Sequence, residues 1–117
     1  MKNINKVNNL QELLDTLRTQ ETPMFVSLCA RCGNENFLMD QVLHNMQEKY
    51  GENLGYQKVP DTASRIIKNE LMISKNPVLL LINRGEIKAV FGGIVAQYKL
   101  EQALAALSET TALNDNY

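Results

Sequence analysis

Tryptophan is absent from this chain of 117 residues, histidine occurs once and cysteine twice. Structural zinc wants four ligands, often from two Cys-x-x-Cys pairs. A single such pair and His44 do not supply them, so no metal and no cofactor are expected. An excess of one charge is missing too: 12 basic against 13 acidic residues leave a net charge of -1. That balance gives no electrostatic footprint for nucleic acid or a membrane surface. No apolar run approaches the roughly 20 residues that span a bilayer. Met1 to Asn9 are polar, with no apolar signal core, so the expected location is the cytoplasm. There, a lone dithiol is more often catalytic or redox-sensing than structural.

What is present is apolar residues in clear periods. At 44% hydrophobic, the chain suits one compact domain. That domain is expected over residues 1–107, with the polar stretch 108–117 as a frayed tail. Ile4 and Val7 read as a short edge strand. Asn9 followed by Glu12 resembles a capping arrangement, and Leu10, Leu13, Leu14 and Leu17 then mark one helix face ending near Gln20. Met24 to Leu28 is a strand, and helical spacing resumes at Phe37, Leu38, Val42, Leu43 and Met46 until Gly51 stops it. Leu54 to Val59 is a weaker strand. Asp61 or Thr62 is expected to cap a helix that carries Ala63, Ile66, Ile67 and Leu71. Asn76-Pro77 opens the unbroken apolar run Val78 to Ile82, which suits a strand buried on both faces. A turn at 83–86 joins it to Ile87–Phe91 as a hairpin, Gly92-Gly93 ends that strand, and a last helix buries Leu100, Ala103, Leu104 and Leu107.

The two cysteines, Cys29 and Cys32, fall between the first clear strand and the helix after it. Strand, dithiol, helix is the context in which Cys-x-x-Cys reads as redox chemistry. Two intervening residues place both sulfurs in the first helical turn, where unpaired N–H groups and the macrodipole favour thiolate. Cys29 therefore reads as the attacking thiol and Cys32 as the resolving one. Arg31, between them with Ala30, would stabilise the Cys29 thiolate by charge attraction and make the disulfide a better oxidant.

The order of elements, with Cys29-Ala30-Arg31-Cys32 opening the second helix and a proline opening the hairpin strand, resembles the thioredoxin family. The likeness extends from about Ile4 to Leu107 and includes Asn76-Pro77-Val78-Leu79-Leu80-Leu81, Asn83-Arg84-Gly85-Glu86 and Gly92. It implies an α/β three-layer sandwich, a central mixed sheet flanked by helices. It implies that Pro77 is cis and faces the dithiol, with Asn76, Pro77 and Gly92 along a substrate groove. The activity implied is thiol–disulfide exchange on protein disulfides by a monomer, with a reductant or oxidant partner that the sequence does not name. The chain departs from the family in lacking Trp, in Ala-Arg between the cysteines and in having no acid on Met24–Leu28, where Ser27 is the nearest polar residue. Lys58 aligns loosely with the family's lysine beneath the site. These departures keep a second reading open, a thioredoxin-fold binding or adaptor module with a slow or regulatory dithiol.

The remaining candidates read as ordinary structure. His44 is expected at the surface, Glu35 as a solvated first-turn carboxylate, and Met39, Met46 and Met72 as core or rim filling.

Overall fold

The computed structural model of the protein describes residues 3–29 and 34–115, with side chains over 3–29 and 37–107. The first strand, β1 (Met24–Leu28), is central. It runs parallel to β2 (Gly55–Val59) and antiparallel to β3 (Val78–Asn83), which pairs antiparallel with β4 (Glu86–Gly92). The sheet order is β2-β1-β3-β4. All five β1 residues are buried, because helices cover both sheet faces.

One layer is α1 (Leu10–Leu17) and α3 (Asp61–Glu70); Leu13, Leu17, Ala63 and Ile67 pack there on Val26, Leu28, Val78 and Leu80. The other is α2 (Asn34–Tyr50) and α4 (Gln97–Asp115), where Met39, Leu43, Met46 and Leu100 meet Phe25, Leu79 and Leu81. The alternation of the central strand divides its side chains between the two cores. Lys49 and Tyr50 both donate to Glu101 Oε1, at 2.6 and 2.7 Å, and join α2 to α4. This holds the Glu101 carboxyl below the usual range, Lys49 being the main cause.

Local chemistry sets the boundaries. Asn9 Oδ1 accepts from the Glu12 amide at 2.9 Å, and Asn9 Nδ2 donates to Glu12 Oε2 at 3.2 Å, so the cap read from sequence forms. The hairpin turn has positive φ at Arg84 and Gly85, 53° and 80°, as a two-residue connection with the sheet's twist demands. A Cβ on Gly85 would stand 2.9 Å from Leu14 O and from Arg18 Cα, so the α1 backbone approaches here.

Six expectations need correction. Ile4 and Val7 form no strand: the Val7 amide bonds to Ile4 O, and the Ile4 amide bonds to the Gln57 side chain. Both residues nevertheless fill the α1–α3 core. Helix α1 stops at Leu17, short of Gln20, where the Arg18 and Gln20 amides turn back to Asp15 O and Leu17 O. Neither Asp61 nor Thr62 caps α3; Pro60 is the cap and its carbonyl accepts from the Ser64 amide at 2.8 Å. Ile66 is exposed while Lys68 is buried, because the inward stripe runs through Ala63, Ser64, Ile67 and Lys68. Met72, read as core or rim filling, is 92% exposed at φ 58°, on a turn that a left-handed residue must make. Helix α4 continues past Leu107 into the polar stretch.

Candidate functional site

β1 ends at Leu28, whose register partners are Val59 on one side and Val78 on the other. Cys29 follows, and Pro77 precedes, this last Leu28–Val78 pair of the ladder. The Asn76–Pro77 peptide bond is cis. Val78 pairs in turn with Gly92, and the Gly93 amide donates to Pro77 O at 2.8 Å. Cys29, Asn76, Pro77 and Gly92, scattered through the sequence, are therefore at or next to the Leu28–Val78–Gly92 end of the sheet.

Cys29 is only 9% exposed, and its sulfur is in a disulfide. The described part of α2 begins at Asn34, and the expectation that both sulfurs lie in the helix's first turn falls outside the described residues. The expectations at Ala30, Arg31 and Cys32 fall outside the described residues. Gly92 is not open space: Lys75 Cδ lies 2.9 Å from where a Cβ would stand. Gly93, at φ 82°, has nothing within 4 Å of that position.

Two polar groups at this end were not foreseen. Lys68 of α3 is buried and its Nζ donates to Asn76 Oδ1, so an ammonium braces the residue before Pro77. Burial pushes the Lys68 amine below its usual range. Its place on the helical stripe with Ala63, Ser64 and Ile67 was the available signal. On the other sheet face, Asp40 of α2 accepts from Tyr56 Oη at 2.5 Å and from Lys58 Nζ at 2.6 Å. Lys58, named from the sequence, thus pairs with an acid supplied by a helix. Burial above all, then Asp40, pushes the Tyr56 phenol up. His44 is exposed, edge-on to the Tyr56 ring at 6.2 Å.

Phe37 and Leu38 in the first turns of α2, and Ile94 and Tyr98 beyond β4, are exposed. Among the described residues no group of three or more His, Cys, Asp or Glu could hold a metal ion. No helix among them is long and apolar enough to cross a membrane.

No protein-family model matches the chain, and no curated protein sequence matches it. Solved structures do. One is a chain from the structural basis of the thiol resolving mechanism in yeast mitochondrial 1-Cys peroxiredoxin via glutathione/thioredoxin systems. It has TM-score 0.67 and 20% identity over 88% of this chain and 94% of that one. A second, described as the structure of a malarial protein, has TM-score 0.63 and 14% identity over 74% of this chain and 97% of its own. At these identities the likeness speaks for architecture, and the architecture is that of a thioredoxin-like α/β sandwich: a mixed four-stranded sheet between two pairs of helices.

Proposed function

We propose that this chain is a thiol–disulfide oxidoreductase acting on protein disulfides through Cys29 and Cys32. The observation that supports the reading is the register of β1 against β3, whose last pair, Leu28 with Val78, is followed by a disulfide-bonded Cys29 and preceded by the cis Pro77. In the reduced protein the Cys29 thiolate attacks one sulfur of a substrate disulfide. That S–S bond breaks, a mixed disulfide forms, and the other substrate sulfur leaves as a thiolate that takes up a proton. Cys32 then attacks the Cys29 sulfur and releases the second substrate thiol. The protein ends two electrons poorer, as the Cys29–Cys32 disulfide, and an external dithiol returns it to the reduced state. The exposed apolar residues Phe37, Leu38, Ile94 and Tyr98 suit an extended peptide, in place of the indole that the chain lacks.

Reduction of insulin by dithiothreitol tests the proposal. The wild-type protein is expected to shorten the lag before insulin precipitates, and Cys29→Ser to restore the lag of the uncatalysed reaction. Equal lags with the two proteins would leave the adaptor reading, in which the same apolar surface holds a partner without exchanging disulfides.

A further inference from the structure

The connection from α3 to β3, residues 71–77, is neither helix nor strand, yet it carries Asn76 and Pro77 to the end of the sheet that leads into Cys29. A segment outside the ladder keeps one shape only where other contacts hold it. One residue holds this segment twice. The Lys68 carbonyl accepts from the Ile73 amide at 3.0 Å, just after the left-handed turn at Met72. The Lys68 amine reaches further along the same segment and donates to Asn76 Oδ1. Past that bond, Pro77 O accepts from the Gly93 amide at 2.8 Å, and the Lys75 side chain lies over Gly92.

The energetics of position 68 favour an apolar residue. Lys68 is 7% exposed and belongs to the inward stripe of α3 with Ala63, Ser64 and Ile67. Its stem fills apolar space much as a methionine would, but taking an ammonium out of water carries a cost that methionine avoids. Among the described residues no carboxylate forms an ion pair with it. The partner is the neutral amide of Asn76, on an exposed residue. What the amine adds over a methionine is therefore a hold on the segment before Pro77.

We infer that Lys68 is a positioning residue for substrate binding: by holding Asn76 it fixes the path of residues 73–77, and with it the wall against which the substrate segment lies. The role rests on the thiol–disulfide reading of this end of the sheet, and it adds a residue of α3 to the groove. Lys68 acts through Asn76 and takes no part in the sulfur chemistry. Its loss weakens the binding of ground state and transition state alike, so KM rises while kcat holds.

The test is a double-variant cycle over Lys68→Met and Asn76→Ala. Initial rates of dithiothreitol-driven reduction of a self-quenched, fluorescein-labelled insulin are measured against insulin concentration. Each single variant is expected to raise KM about fivefold, as loss of one hydrogen bond does, with kcat unchanged. The pair should raise KM no further than the larger single variant, because both remove the same link. Reaction of the reduced proteins with 5,5′-dithiobis(2-nitrobenzoate), a reagent too small to need the wall, should match wild type. Effects that multiply in the pair would overturn the role, and so would a joint fall in kcat and reagent reactivity, as general loosening gives. Asn76 is exposed, so Asn76→Ala carries the test even where Lys68→Met fails to fold, and an unmoved KM in that variant alone overturns the role. If the wild type reduces insulin no faster than dithiothreitol does, the oxidoreductase reading falls and Lys68 with it. If the wild type is active and KM is indifferent to both variants, only the role of Lys68 falls.

Discussion

On the α1–α3 face of the sheet, polar groups enter the apolar layer singly; on the α2–α4 face they arrive linked. Ser64 Oγ ends on Val59 O at 2.9 Å, and Lys68 ends on Asn76, each satisfied by one neighbour. Across the sheet, Tyr56 and Lys58 of β2 both donate to the Asp40 carboxylate and join strand to helix in one connected set. A buried polar group with one local partner avoids the cost of an unmade hydrogen bond and fixes a shape. The Lys68–Asn76 bond braces the residue before the cis Pro77.

The contrast concerns polar groups only, so the two apolar cores should respond alike. Phe25→Ala on the α2–α4 face is expected to cost about 3–5 kcal/mol and Leu80→Ala on the other about 2–5 kcal/mol, both being fully buried. Urea denaturation read by circular dichroism measures both; a loss confined to one face would mean that the layers are not one cooperative unit.

Lys68→Met gives a smaller effect whose sign depends on pH. The folded-state pKa of Lys68 lies below its ordinary value of 10.5 because of burial. Between the folded and unfolded values the unfolded chain holds more protons, so the stability of the wild type rises with pH across that window. The cost of burying the ammonium is fully present below the folded value and is relieved above it. Stability relative to Lys68→Met should therefore move in favour of wild type as pH climbs toward 10.5. Parallel urea midpoints over that range would show that Lys68 titrates as if in water. Asn9→Ala should have the smallest effect, about 1 kcal/mol from loss of the α1 cap, with no change in the reactivity of Cys29.

Most of the architecture was legible because its signals are local. The apolar run Met24–Leu28, the leucine spacing of α1, the cap at Asn9 and the hairpin at Asn83–Glu86 each need only a few neighbouring residues, and each appears where the pattern placed it. Ile4 and Val7 show the limit. Their alternation matched a strand, but burial against α1 and the sheet satisfied them without ladder pairing. Ile66 and Lys68 show another: a helix face is chosen by what packs against it, and the stem of a lysine fills an apolar site when its amine finds a partner.

By itself the sequence determined the elements, their order and the two residues able to do sulfur chemistry, because propensity, periodicity and residue identity are properties of short stretches. Tertiary structure alone decided that Val78, after Pro77, and Gly92 come to the end of β1 that leads into Cys29, and that an acid from α2 meets a tyrosine and a lysine of β2. Strand register and the side on which each helix docks set those meetings. Both follow from contacts between residues far apart in the chain.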